Sequence, residues 1–112
     1  MTQHDHQGCI EACQRCAEAC ERCAEACLND ADVTLLANCI RLDRDCAEVC
    51  LLAAAFMSRG SHFASDLCRL GAEVCDACAD ECDRHKFEHC RDCAEECRRC
   101  GEECRRMATA HV

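Results

Sequence analysis

The chain has no proline, tryptophan or tyrosine, and only four glycines and three phenylalanines among its 112 residues. Since proline breaks helices, its absence favours long uninterrupted helices. The N-terminus, MTQHDHQGC, lacks an apolar signal segment, and no stretch is apolar for long enough to span a bilayer. The sequence therefore predicts a cytoplasmic protein, one small domain over residues 1–112, with no membrane partner.

Basic residues are fewer than acidic ones: the chain has 13 lysines and arginines but 22 aspartates and glutamates, and its net charge is −9. Phosphate recognition needs clustered lysine and arginine, so this balance argues against a nucleic-acid partner. The acidic residues are better explained as a solvated outer surface.

The abundant residue is cysteine, which occurs eighteen times. The first six cysteines follow steps of 4, 3, 4, 3 and 4 residues, and the motif C-x-x-C-A-x-x-C occurs four times. This spacing is typical of the buried seam of a helix in a bundle, where leucine is usual. All eighteen are candidate metal ligands: Cys9, Cys13, Cys16, Cys20, Cys23, Cys27, Cys39, Cys46, Cys50, Cys68, Cys75, Cys78, Cys82, Cys90, Cys93, Cys97, Cys100 and Cys104.

The pattern predicts an all-α fold, an antiparallel up-down-up-down four-helix bundle with a cysteine-lined core. Helices are expected at about residues 3–28, 33–58, 62–83 and 87–108. We expect Thr2 and Asp5 to cap the first helix, the segment Asn-Asp-Ala-Asp at 29–32 to end it and to cap the second, and Ser61 to cap the third, with Gly60 in a left-handed turn. In the second helix, some positions of the buried seam carry no cysteine, and these are assigned to Leu42, Ala53 and Met57.

Metal binding explains the cysteines better than disulfides do. Side chains three or four residues apart on a helix have Cβ atoms about 5 to 6 Å apart, too far for an unstrained disulfide. Zinc, Cu(I) and iron–sulfur clusters all accept thiolates, but iron–sulfur motifs lie in loops. Four thiolates around zinc leave two surplus negative charges, whereas Cu(I) replacing a thiol proton leaves a buried core neutral. The favoured cargo is therefore multiple Cu(I) ions, up to about eighteen per chain by ligand count.

Two other functions stay open at this point. A zinc or general heavy-metal buffer of metallothionein type would use the same ligands. A thiol oxidoreductase would need one C-x-x-C pair at a helix N-terminus beside a strand–helix unit, whereas here the pairs repeat within helices. We therefore expect no enzymatic activity. Because neutral cysteine packs like a small apolar residue, the metal-free chain should already be helical.

One end of such a bundle collects further copper ligands. The start of helices one and three and the end of helices two and four carry His4, His6, Met57, His62, Met107 and His111. Imidazole and thioether both bind copper, so this end is the expected mouth, with Met57, His62, Met107 and His111 as candidate metal ligands. The opposite end is expected to be more closed and carries Leu28, Val33, Leu35, His85, Phe87 and His89.

The C-x-x-C-A-x-x-C repeats and the cysteine seams on four predicted helices make the chain resemble the cytosolic bacterial copper storage proteins, over nearly its whole length. The resemblance implies storage of many Cu(I) ions along the core, all eighteen cysteines as ligands, and assembly as a homotetramer. It leaves the copper donor or acceptor protein unknown. Apolar residues on helices two and three are candidates for the oligomer interface: Leu36, Ile40, Leu51, Leu52, Leu67, Leu70 and Val74.

Overall fold

A computed structural model describes residues 3–110, and the side chains of residues 6–109. Its elements are α1 (Gln3–Leu28), a short 3-10 helix (Val33–Leu36), α2 (Ala37–Ser58), α3 (Ala64–Cys82) and α4 (Glu88–Ala110). These four α-helices confirm the predicted bundle, which measures 46 × 19 × 18 Å. Within the described residues, no helix combines the length and the apolar character that crossing a membrane requires.

The helix ends differ from the predicted ones in their capping. The second helix begins with the 3-10 turn, and Asp32 makes no side-chain cap hydrogen bond. Instead, Asp30 Oδ1 accepts a hydrogen bond from the backbone N–H of Asp32 at 2.8 Å. This bond stabilises the turn that precedes the 3-10 helix. The third helix begins at Ala64. In the turn before it, Ser61 Oγ accepts a hydrogen bond from the backbone N–H of Phe63 at 3.0 Å. The predicted Thr2–Asp5 cap lies outside the described residues and side chains.

Each helix packs against two neighbours: α1 and α3 both contact α2 and α4. Diagonally opposed helices face one another across the centre, where Cys16 of α1 and Cys75 of α3 bring their Sγ atoms within 4.0 Å. The outer surface carries ion pairs between exposed side chains, such as Arg105 with Asp76. Exposed pairs of this kind contribute little to stability, so the bundle depends on its core.

The assignment of Leu42 to the buried seam is wrong. Leu42 is only partly buried, whereas Asp43 is fully buried among the cysteines of the core. The steps from Cys39 to Asp43 and on to Cys46 are four and three residues, which is the seam spacing. Ala53 and Met57 are buried at seam positions as predicted.

Gly60 is the one residue of the described chain with a positive φ, at 65°, and it ends the turn after α2. Replacing Gly60 with alanine should lower the free energy of unfolding by about 1 kcal/mol, because a Cβ strains left-handed backbone. Gly8 is the matched control: it lies inside α1, where a Cβ would meet only Glu103 Oε1 at 4.0 Å. Alanine there should stabilise the helix by about 0.5 to 1 kcal/mol. Equal urea midpoints for the two variants would contradict this account of the turn.

Candidate metal centre

All eighteen cysteines lie in the described part of the chain, with 0% of their surface exposed and with free thiols. The helices place them inward because the 4-3 spacing keeps every cysteine of a helix on one stripe. Alanines occupy many of the remaining buried positions. Sulfur therefore forms the centre of the core along the bundle.

The middle of the core is a layer with one cysteine from each helix: Cys16, Cys46, Cys75 and Cys97. The Sγ of Cys16 lies 3.7 Å from those of Cys46 and Cys97. The Sγ of Cys46 lies 3.7 Å from that of Cys75 and, across the diagonal, 3.9 Å from that of Cys97. An ion entering this layer would meet thiols from four directions.

The sulfur contacts continue from this layer toward the N-terminus of α1. Cys50 lies 3.7 Å from Cys100, and Cys100 lies 3.6 Å from Cys13, measured between Sγ atoms. Cys104 follows, 3.7 Å from Cys13 and 4.0 Å from Cys9. Neighbouring thiols on different helices are thus spaced closely enough for a metal ion to bridge them.

Several groups of four ligands lie within 4.8 Å of one another, and the groups share members. Cys16 and Cys46 belong to one group with Cys50 and Cys75, and to another with Cys20 and Cys97. Shared membership means that these are not separate four-ligand sites. In these groups, each shared sulfur is placed where it can serve two ions.

Toward the other end, the carboxyl group of Asp43 interrupts the sulfurs. Its Oδ1 accepts hydrogen bonds from the thiols of Cys78 at 3.2 Å and Cys93 at 3.3 Å, and Cys39 donates to Oδ2 at 3.8 Å. Burial is the main cause that raises the pKa of Asp43 from 3.8 to about 9. The carboxyl is therefore neutral at pH 7 in the metal-free protein. Asp43 also forms a possible ligand group with Cys23, Cys39 and Cys82.

Asp43 is a candidate ligand that our sequence interpretation missed. The signal was present, because position 43 continues the seam between Cys39 and Cys46. The sequence interpretation gives this place in the seam to the apolar neighbour, Leu42, and a buried carboxylic acid is rare unless it has partners. The partners here are thiols contributed by α2, α3 and α4.

His89 lies at the end where the sequence interpretation placed it, but its contact with core thiols was not predicted. Its Nδ1 lies 3.5 Å from the Sγ of Cys23 and 3.6 Å from that of Cys90, and its ring stacks on Phe87 with centroids 5.4 Å apart. A groove of about 330 Å³ between α1 and α4 is lined by His89 and Cys23. The groove lies at the end that is expected to be more closed. His85 of the same end contacts Glu81 instead, at 3.0 Å.

The predicted mouth is only partly assembled by the described residues. Met57 and Met107 are buried, and a groove of about 170 Å³ brings Met57 together with the half-buried His6. His62 is exposed beside the start of α3. The side chain of His4 and all of His111 lie outside what the structure describes.

Burial opposes the charged form of a thiol in this core. For Cys27, burial is the main cause that raises the pKa of the thiol above 9.0, and the neighbouring Cys39 thiolate adds to it. Removing water from around a thiolate disfavours the charge unless a cation takes the place of the proton. The core therefore favours binding in which a positive ion enters as a proton leaves.

Comparison with known proteins agrees with this geometry. The family model described as copper storage protein matches residues 2–109. A cytosolic copper storage protein from Streptomyces lividans, described with five coppers, is 45% identical, with a TM-score of 0.92 over 95% of this chain and 93% of that one. Metal-free copper storage protein 3 from Bacillus subtilis is also 45% identical, with a TM-score of 0.86 over 91% and 97%.

A third solved structure, the Cu(I)-bound copper storage protein BsCsp3, is 44% identical, with a TM-score of 0.89 over 93% of this chain and 98% of that one. Among curated proteins, none matches significantly. The family match spans nearly the whole chain, and these identities exceed the level at which only the fold can be inferred. On these grounds the chain belongs to the copper storage protein family.

Proposed function

We propose that this protein stores Cu(I) as cargo in its core, with thiolates bridging successive ions. The observation that carries the proposal is the shared membership of the buried ligand groups, in which Cys16 and Cys46 each belong to more than one set. Bridging ligands suit a soft ion that accepts two or three sulfurs. With eighteen thiolates, the capacity is on the order of eighteen ions per chain.

The distances alone do not separate copper from zinc. Four thiolates at about 2.3 Å from a tetrahedral zinc ion lie about 3.8 Å from one another, close to the sulfur–sulfur distances of the central layer. The sharing of ligands does not separate them either, because a thiolate sulfur can bridge two zinc ions as well as two Cu(I) ions.

Charge is what favours copper. Each Cu(I) that replaces a thiol proton leaves the core neutral, whereas each zinc bound by four thiolates adds two negative charges to it. The surrounding core is alanine and cysteine, which offers no cations to balance such a charge. A stack of zinc sites would therefore cost far more to bury than a stack of bridged Cu(I) ions.

The proposed ligand set has a thiolate core and two mixed ends. All eighteen cysteines bind copper; Asp43 and His89 add an oxygen and a nitrogen at one end, and Met57 and Met107 add thioethers at the other. The proximity of His89 Nδ1 to Cys23 supports the first assignment. For the exposed His62 and for His111, the support is their place in the sequence alone.

The role is binding rather than catalysis, in the cytosol, with copper ions as the partner and without membrane or nucleic acid. Assembly with further copies of this chain, as a tetramer, is supported by exposed leucines on α2 and α3: Leu51, Leu52 and Leu70. Leu36 cannot contribute to such an interface, because it is buried in the core.

An anaerobic titration tests the function. Reduced protein should take up well over ten Cu(I) ions per chain from a chelator of known affinity, because the shared thiolates form one large site. The same titration with Zn(II) should give weaker binding and fewer ions. Uptake of only one or two Cu(I) would point to a chaperone or a sensor, and a preference for zinc would point to a zinc buffer.

A further inference from the structure

Two of the four glycines, Gly71 and Gly101, lie buried inside helices. Gly71 belongs to α3 and Gly101 to the adjacent helix, α4. Glycine weakens a helix relative to alanine, because it loses more backbone freedom on folding. Neither residue ends a helix or has a positive φ, so the backbone conformation does not call for glycine. The reason for the missing side chain therefore lies in what surrounds the two residues.

Each of these glycines faces a cysteine of the other helix. A Cβ added at Gly71 would lie 3.5 Å from the Sγ of Cys104, and one added at Gly101 would lie 3.5 Å from the Cβ of Cys75. The pairing is reciprocal, since Cys75 follows Gly71 by four residues and Cys104 follows Gly101 by three. Between α3 and α4, a cysteine of each helix thus packs against bare backbone of its neighbour.

The thiol of Cys104 lies between this bare backbone and other thiols. Its Sγ is 3.7 Å from that of Cys13 and 4.0 Å from that of Cys9, both on α1, and 3.9 Å from that of Cys100 on its own helix. Gly71 approaches the same sulfur from α3 and carries no side chain. Cys104 therefore has room to move away from the thiols of α1 and toward α3.

Metal binding between thiols requires movement of this kind. Neighbouring Sγ atoms in the core lie 3.6 to 4.0 Å apart. With a metal–thiolate bond of about 2.3 Å, as for zinc, two sulfurs on opposite sides of one ion lie about 4.6 Å apart. Sulfurs that take up an ion in this way separate by about 0.6 to 1 Å. Because close-packed helices resist displacement, the cysteine side chains have to provide that movement.

We propose that Gly71 and Gly101 set the Cu(I) capacity of the core between α3 and α4, because they leave Cys104 and Cys75 the room to move apart from their neighbours as ions bind. The inference rests on the storage function proposed above. The two glycines bind no ion and are positioning residues that act through the thiols. A side chain at either position would fill the room and hold the opposite cysteine where it is.

The first test compares Gly71→Ala with the wild type. A Cβ 3.5 Å from the Sγ of Cys104 makes an ordinary van der Waals contact, and alanine favours helix. The metal-free variant should therefore melt at or above the wild-type temperature. Anaerobic titration should nevertheless show about two fewer Cu(I) per chain, since a bridging thiolate serves two ions. General damage to the fold would not lower capacity while stability is kept or increased.

Two further variants make this test specific. Gly8→Ala is the matched control, because a Cβ there would meet Glu103 Oε1 at 4.0 Å and no thiol. It should retain the wild-type capacity. In a Cys104→Ala background, Gly71→Ala should remove no further ions, because the thiol that the new side chain would crowd is absent.

The second test makes the same change at Gly101. A Cβ there would lie 3.1 Å from Oδ1 of Asp76, whose other oxygen pairs with Arg105 at 2.8 Å, so the carboxyl group would have to shift. Gly101→Ala is therefore introduced into an Asp76→Ala background and compared with Asp76→Ala alone. Capacity should again fall by about two Cu(I) per chain, because Cys75 is now held in place.

Several results would overturn the inference. They are wild-type capacity after either glycine change, a further loss of ions when Gly71→Ala is added to Cys104→Ala, and a loss of copper together with a lower melting temperature of metal-free Gly71→Ala. High wild-type uptake with unchanged variants would refute this inference alone. Uptake of only a few Cu(I) by the wild type would refute the storage function, and this inference with it.

Discussion

Loading with Cu(I) is expected to raise the melting temperature by about 20 °C or more while the far-ultraviolet circular dichroism stays unchanged. The structure has four helices with every cysteine buried and facing the core, and neutral thiols pack there like small apolar residues, so the chain is expected to fold without metal. Ions that bind the folded chain more tightly than the unfolded chain stabilise it by mass action. Unfolded cysteines also bind Cu(I), which is why the expected gain is far below the sum over eighteen sites.

The measurement is a series of thermal melts on reduced, anaerobic protein carrying increasing equivalents of copper. Helix content at low temperature should be the same from zero to full loading, while the melting temperature rises through the series. A metal-free protein without helical structure would show instead that copper drives folding, as zinc does in zinc fingers. Equal melting temperatures for empty and loaded protein would contradict binding in the core.

Replacing Asp43 with asparagine should remove a large pH dependence from the stability of the metal-free protein. The pKa of Asp43 is raised to about 9 in the folded chain from an ordinary value of 3.8. Between these values the unfolded chain has lost the proton and the folded chain retains it. The contribution of Asp43 is therefore complete below pH 3.8 and is lost as the pH rises through 9. Across this window, the free energy of unfolding falls by about 1.4 kcal/mol per pH unit.

Between pH 5 and 8, the free energy of unfolding should fall by about 4 kcal/mol because of Asp43. This fall should be absent in Asp43→Asn, because asparagine keeps nearly the same shape without the acidic proton. Urea denaturation of both proteins at several pH values under reducing conditions measures the difference, in which other titrating groups cancel. The upper limit of pH 8 keeps unfolded cysteines mostly protonated. Asp45→Asn, at an exposed position of α2, is the control and should retain the wild-type slope. Parallel slopes for wild type and Asp43→Asn would contradict the assignment of a neutral buried carboxyl.

Leu42 and Asp43 are neighbours, and hydrophobicity favoured the first while the 4-3 spacing favoured the second. Spacing was the better guide, because the thiols of Cys78 and Cys93 satisfy the carboxyl that water would otherwise have to solvate. For His89 no comparable signal existed, since it lies outside the seam, directly before Cys90.

The sequence alone determined the four helices, the inward stripe of cysteines and the family resemblance, because helical period and composition are local properties of a chain. Only the tertiary structure decided which sulfurs meet. Contacts such as that between Cys16 and Cys46, or between His89 and Cys23, depend on how far each helix is rotated and shifted along its neighbour. Those shifts are set by side-chain packing between helices, which the spacing within one helix does not encode.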